Sequence, residues 1–183
     1  YKGWFGIKTL PELREDSSGI VTGPKEYIFN STKRWMNPMN KGVAHGIDGW
    51  RLDVAYNVGH PFWKVWRKWV RSINPSAYLT AELVDPIEAT RPYLQGDEFD
   101  ATMNYNFAFI VHDFFVQDSN GSSVTEFDRK LKELREAFGE GVALNMQNLM
   151  NSHDATRLAS AVANPNGVKF GDWGKYFNWS QKS

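Results

Sequence analysis

Apolar runs of strand length alternate along this chain with segments of helical period. Residues 47–54 form a mostly apolar stretch preceded by Gly46 and read as a buried strand. Residues 61–73 follow, with Phe62, Trp66, Trp69 and Ile73 at helical spacing as one core-facing stripe, Pro61 in the first turn and Asn74-Pro75 as the stop. A strand over 78–82, a short helix near 86–94, a strand over 99–103 and a helical stretch over 106–117 come next. Residues 118–122, Asp-Ser-Asn-Gly-Ser, read as a turn, 123–138 as a helix with a polar face ended by Gly139, and 142–149 as a last strand. Residues 1–45, with Pro11, Pro24 and Pro38 and scattered glycine, read as a loop-rich segment ahead of the α/β portion at 46–183. Strands separated by helices predict an α/β fold with a parallel sheet.

The first strand carries an anomaly. Alternation sends Arg51 and Asp53 to one face and Leu52 and Val54 to the other. A charged pair on an apolar strand is costly unless it is satisfied or used, so it is either a structural ion pair or a working one. Two further acids sit at corresponding places, Glu82 at the end of the 78–82 strand and Asp154 in Asn151-Ser152-His153-Asp154 after the last one. Acids at several strand ends suit glycosidic bond chemistry, in which a retaining hydrolase pairs a nucleophilic carboxylate with a proton-donating carboxyl roughly 5 Å away. Neighbouring parallel strands ending at one barrel rim bring such groups together. On its own residues Asp154 also reads as an N-cap ahead of Ala155-Thr156-Arg157.

Four segments in order resemble the α-amylase family of glycoside hydrolases, in particular its neopullulanase and cyclomaltodextrinase branch. They are Gly49-Trp50-Arg51-Leu52-Asp53, the Glu82 strand, Gly96-Asp97-Glu98-Phe99-Asp100 with Met103-Asn104-Tyr105, and Ser152-His153-Asp154. Gly3-Trp4-Phe5-Gly6 and Leu10-Pro11-Glu12-Leu13 are similar to the segment that precedes the nucleophile strand in that branch. The resemblance implies a (β/α)8 barrel, of which this chain would carry about strands four to seven with their helices, truncated at both ends. It implies Asp53 as nucleophile, oriented by Arg51, and Glu82 as the acid that protonates the departing sugar oxygen and then serves as base toward water. Asp154 would favour the distorted, oxocarbenium-like sugar ring, His153 would donate to the same ring, and Asn104 and Tyr105 would contact substrate, with Tyr105 read from its own position as equally suited to packing or to lining the cleft. The implied reaction is retaining hydrolysis of α-1,4 bonds, with α-1,6 bonds left open, in maltodextrin, cyclodextrin, starch or pullulan. A transglycosylase of the same family, or a non-catalytic relative that binds glycan, are the alternatives.

The chain departs from the branch in places. Ala81 precedes Glu82 and Leu83-Val84-Asp85 follow it, where the branch has Gly, then a bulky apolar residue, an aromatic and His; Tyr56-Asn57 replaces Asn-Glu. These positions neighbour the leaving-group side of the family's cleft. The third-strand motif and an eighth strand are not found in these 183 residues, so the expectation is a central portion of a longer protein. Such a portion, with unpaired strand edges, is expected to self-associate as a homo-oligomer and to be inactive alone.

Composition fits a globular segment, 42% hydrophobic and 23% charged. Lys and Arg balance Asp and Glu at 21 each, which leaves no electrostatic footprint for nucleic acid or an anionic membrane and suits a neutral glycan. No apolar run is long enough to cross a bilayer. The absence of Cys excludes disulfides and thiolate metal sites and leaves the compartment open. No cofactor is expected; some family members bind calcium, but no ligands for it stand out. Trp4, Phe5 and Trp35, in loop-like sequence, are candidate sugar platforms, whereas His45, His60 and His112 show no ligand spacing.

Overall fold

The structure, a computed structural model, describes residues 1–116 and 121–163. The chain divides into two units, Tyr1–Glu82 with Tyr93–Asp100, and Leu83–Pro92 with Ala101–Ser183.

The first unit opens with a folded loop and a small antiparallel hairpin, β1 (Glu15–Asp16) and β2 (Gly19–Ile20). Helix α1 (Thr22–Met36) follows, so residues 1–45 are not loop-rich throughout. Pro24 stands within the first turn of α1, where no backbone N–H is needed, and its presence there is compatible with a helix. Ile28, Thr32 and Met36 repeat at four-residue spacing, and the last two are buried. Trp35 thus lies on a helix rather than in a loop.

Strand β3 (Gly49–Leu52) is parallel to β4 (Tyr78–Ala81), in register from Gly49↔Tyr78 to Leu52↔Ala81. Gly49 is required by this approach, because a Cβ there would stand 2.0 Å from the Tyr78 carbonyl oxygen. Between the strands runs α2 (His60–Ile73), close to its expected span. Phe62 and Trp66 of the expected stripe are buried, joined by Trp63 and Val70. The indoles are polar at one edge and each finds an acceptor: Trp63 donates to the Ala55 carbonyl at 2.9 Å, Trp66 to Thr32 Oγ1 at 3.0 Å and Trp69 to the Phe29 carbonyl at 3.0 Å. Trp69 also stacks on Phe29 with ring centroids 5.5 Å apart, which locks α2 to α1.

Residues 93–100 complete this unit. Asp100 accepts from Arg67 at 2.7 Å, from Arg71 at 2.7 and 2.9 Å, and from the Leu79 N–H at 2.9 Å. One carboxylate therefore ties α2 to β4. Phe99 packs against Trp63 with the rings tilted and centroids 5.2 Å apart.

In the second unit a short helix α3 (Ile87–Thr90) precedes β5 (Ala101–Asn104), α4 (Tyr105–Phe115) and α5 (Val124–Phe138). Ser123 caps α5 by accepting from the Glu126 N–H, and Gly139, with φ 75°, ends it as its position suggests. Residues 118–120 of the expected turn lie outside the described residues. The first half of the expected strand over 142–149 lies in a helix, α6 (Glu140–Asn145), and only β6 (Gln147–Asn148) pairs, parallel to β5. Ala143 closes a helical turn onto the Gly139 carbonyl at 2.9 Å; Ala143 and Leu144 are good helix formers, and the short apolar run Val142-Ala143-Leu144 suits a helical turn as well as a strand. A final helix, α7 (Leu158–Ala163), ends the described chain.

Candidate functional site

Asp53 and Glu82 are the residues that follow β3 and β4. With Leu52 opposite Ala81 in a parallel pair, the next step in register sets the two acids side by side at the carboxyl ends of the strands. Arg51 lies one residue inside, on the same face as Asp53, and its guanidinium serves both. Nη1 pairs with Asp53 Oδ1, and Nη2 lies 2.9 Å from Glu82 Oε1. Two oxygens held by neighbouring nitrogens of one rigid fork are within about 8 Å of each other, the range of paired-carboxylate glycoside chemistry.

The two acids differ in setting. The Asp53 side chain is 72% exposed and the Glu82 side chain only 8%. Glu82 is enclosed by the turn after β3: its N–H donates to the Leu52 carbonyl at 2.9 Å, its carbonyl accepts from Ala55 N–H at 3.2 Å, and its Oε2 accepts from Val54 N–H at 2.8 Å. Val54 adopts φ 44°, ψ 49°, a left-handed conformation that β-branched residues rarely enter. That backbone reversal ends β3 at Leu52, short of the expected residue 54.

A groove of about 940 Å³ opens beside Asp53. Asp53, Val54 and Asn57 line one part of it, and Trp4, Leu10 and Leu13 another. The loop that forms this wall is held by its own bonds. Gly3 bridges Pro11, Lys2 pairs with Glu12 at 2.8 Å, and the Trp4 N–H donates to the Leu10 carbonyl at 2.8 Å. Glu15 receives the Gly59 N–H at 3.1 and 3.2 Å, fixing β1 to the start of α2. Trp4 therefore presents its ring in a pre-formed apolar wall, in contact with Phe5 at a centroid distance of 4.6 Å. Trp35 is not part of this lining.

In the second unit, Ser152, His153 and Asp154 form a tight corner before α7. Asp154 does not cap that helix, which begins only at Leu158. Instead Ser152 Oγ accepts the Asp154 N–H at 3.1 Å, and the His153 ring lies 3.0 Å from Asp154 Oδ2, with His153 71% exposed. Asn104 and Tyr105, expected to contact substrate, are buried and hydrogen-bonded within the fold. Asn104 Oδ1 accepts the Phe107 N–H at 3.1 Å as the cap of α4, and its amide donates to Asn148 at 2.9 Å. The Tyr105 hydroxyl donates to Ser152 Oγ at 3.0 Å, so it supports the corner from beneath. His112 donates through Nε2 to the Met150 carbonyl at 2.7 Å; burial lowers its pKa below the ordinary imidazole value, partly offset by that bond.

One buried acid has no counterpart among the expected site residues. Glu98 has a side chain 1% exposed and meets His60 Nδ1 through both oxygens, at 2.8 and 2.9 Å. Burial raises its pKa above the ordinary carboxyl range, with His60 acting in the opposite direction. The sequence signal was an acid flanked by Phe99 in an otherwise polar run. Among the described residues no group of three or more His, Asp or Glu side chains is placed to hold a metal ion, and no helix is long and apolar enough to cross a membrane.

Comparison with known proteins gives a consistent result. The model of the alpha amylase catalytic domain matches residues 25–172. Neopullulanase 2 of Thermoactinomyces vulgaris is 35% identical over 164 residues, which are 90% of this chain and 25% of that protein. A cyclomaltodextrinase of Bacillus sp is 34% identical over 176 residues, 86% of this chain and 29% of that protein. The crystal structure of a debranching enzyme from Nostoc punctiforme superposes with a TM-score of 0.73 at 31% identity, over 88% of this chain and 34% of that one. A cyclic alpha-maltosyl-(1→6)-maltose hydrolase from Arthrobacter globiformis, in complex with maltose, gives 0.73 at 28% identity over 96% of this chain and 35% of that one. The chain spans between a quarter and about a third of the length of these relatives.

Proposed function

The chain belongs to the α-amylase family of glycoside hydrolases, and from that premise we propose that it supplies the nucleophile and the acid/base of a retaining α-glucan hydrolase. Its fold is part of the (β/α)8 barrel of that family. The observation that carries the reading is the single Arg51 guanidinium shared by Asp53 and Glu82.

The chemistry follows from the contrast between the two acids. Exposed beside the groove, Asp53 attacks the anomeric carbon of a bound glucosyl unit. The bond to the leaving oxygen breaks as Glu82 delivers its proton there, and a glycosyl ester forms on Asp53. Water then attacks the anomeric carbon, Glu82 takes the water's proton, and the ester bond to Asp53 breaks. Two inversions leave the product in the α configuration. Arg51 keeps the two carboxyl groups at fixed separation through the cycle, which is the positioning that such a reaction needs.

We assign Asp154 and His153 to the sugar ring by the family motif Ser152-His153-Asp154, with Tyr105 acting through Ser152. The substrate class is α-glucan, with both α-1,4 and α-1,6 linkages in view, since the relatives include neopullulanase, cyclomaltodextrinase and amylopullulanase. The groove wall formed by Trp4, Leu10 and Leu13 suits the apolar face of a glucosyl unit. The residues Ala81 and Leu83-Val84-Asp85 around the acid differ from the branch pattern, so linkage preference belongs to direct assay.

The test uses the full-length protein with maltoheptaose, cyclodextrin and pullulan. Proton NMR during early turnover should show α-anomeric product appearing first, and Asp53→Asn and Glu82→Gln should each lower kcat at least about 10³-fold. Initial β product, or turnover that survives Asp53→Asn, contradicts the assignment. With added glucose as acceptor, longer products exceeding hydrolysis would assign the same carboxylates to a transglycosylase.

A further inference from the structure

We propose that Val54 is a positioning residue for the reaction, its strained backbone aiming one N–H at the carboxylate of Glu82. The inference rests on the reading of Glu82 as acid/base.

Glu82 has two oxygens, and each has a different anchor. Oε1 faces Arg51 Nη2 at 2.9 Å, and Oε2 accepts from Val54 N–H at 2.8 Å. The arginine contact alone leaves the carboxyl free to swing about the fork, because that same fork also follows Asp53. The Val54 amide is attached instead to the main chain, and the main chain there is pinned on both sides. Glu82 N–H donates to Leu52 and the Ala55 N–H donates back to Glu82, so the turn closes around the very residue whose side chain it holds. Trp63 fixes the turn further by donating to the Ala55 carbonyl at 2.9 Å.

The conformation that achieves this is unfavourable for the residue present. Val54 sits at φ 44°, ψ 49°, which Gly or Asn enters readily and a β-branched residue does not. Backbone held in such a region persists only where its surroundings determine it, and it concentrates at functional sites. The turn itself does not need valine, since glycine would make it with less strain. Valine does restrict the turn to a narrow range of angles, and through the amide it restricts the direction from which Glu82 can approach a leaving oxygen. Because Val54 also borders the groove, a side-chain effect on substrate binding must be separated from the backbone effect.

The separating experiment removes the N–H and keeps the side chain. In the full-length protein, Val54 is replaced by its α-hydroxy acid through nonsense suppression, giving an ester at that one position. Two substrates are compared: maltoheptaose, whose sugar leaving group needs a proton, and α-maltosyl fluoride, whose fluoride needs it less. The ester should lower kcat on maltoheptaose by about 10- to 100-fold, the worth of a hydrogen bond to a charged group. KM should stay within about twofold, and kcat/KM on maltosyl fluoride should fall by less than about threefold. Val54→Gly, which keeps the N–H and loosens its direction, should show the same substrate dependence at about 3- to 10-fold. Equal losses on both substrates, a change in KM alone, or no loss overturns the inference, and if the ester protein does not fold, Val54→Gly decides on the same criteria. A wild-type protein without turnover, or full activity in Glu82→Gln, overturns the acid/base reading itself and is recognised separately.

Discussion

Arg51 holds two acids with one side chain, and the difference in their burial predicts very different energies for the two contacts. Removing the guanidinium by Arg51→Met leaves the Glu82 carboxylate, 8% exposed, held by the Val54 N–H, and leaves Asp53, 72% exposed, to water. Stripping a partner from a buried charge costs about 3–5 kcal/mol, whereas a solvent-exposed pair contributes about 0–1 kcal/mol. Arg51 is itself 31% exposed, so the lower part of the first range applies, about 3 kcal/mol. Two double-mutant cycles separate the contacts, one combining Arg51→Met with Glu82→Gln and the other with Asp53→Asn. Urea unfolding of the catalytic domain in the full-length protein should give a coupling of about 2–3 kcal/mol for the 51/82 pair and less than about 1 kcal/mol for 51/53. A 51/53 coupling equal to or larger than the 51/82 coupling would refute the reasoning, because it would mean that exposure does not set the strength of these contacts.

Other outcomes follow from contacts away from the acids. Asp100→Asn removes a charge shared by Arg67, Arg71 and the Leu79 N–H, and should lower unfolding stability by about 3 kcal/mol; a loss below 1 kcal/mol would show the hub to be ornamental. His112 is buried with its pKa lowered, so the unfolded chain binds the proton more readily than the folded one. Stability should therefore be full above pH 6.5, the ordinary imidazole value, and decline as pH falls from there toward the folded value. His112→Gln, which keeps a donor toward the Met150 carbonyl, should flatten that part of the stability profile between pH 7.5 and 5.5 in urea titrations, and an unchanged slope would assign the dependence elsewhere.

The rim of β3 and β4 was legible in the sequence because charged residues at the ends of apolar strands have few tenable explanations. Arg51, Asp53 and Glu82 announced themselves by cost. Helix α1 was missed because Pro24 reads as a breaker in sequence, although at a first turn it breaks nothing. The strand expected over 142–149 failed because a short apolar run such as Val142-Ala143-Leu144 does not separate strand from helix, and Ala143 and Leu144 favour helix. Asn104 and Tyr105 stand at the expected strand end, but their internal hydrogen bonds could not be read from sequence. Whether a tyrosine at such a position faces a sugar or bonds to Ser152 depends on a partner 47 residues away, which no spacing rule reports. The same holds for Glu98, whose burial against His60 joins segments 38 residues apart. Val54 was legible least of all, because nothing about a valine suggests a left-handed turn.

The central claim, that Asp53 is the nucleophile and Glu82 its proton-handling partner, is tested most directly by isolating the intermediate. In the full-length protein Glu82→Gln can still be glycosylated by α-maltosyl fluoride, whose leaving group needs little protonation, but it lacks the base that activates water for the second step. A covalent maltosyl-protein should therefore accumulate and be visible as an intact-mass increase. After proteolysis at low pH, tandem mass spectrometry should place the sugar on the side chain of Asp53. A label on any other residue, or continued turnover of maltosyl fluoride with no labelled protein at any time point, would contradict the account.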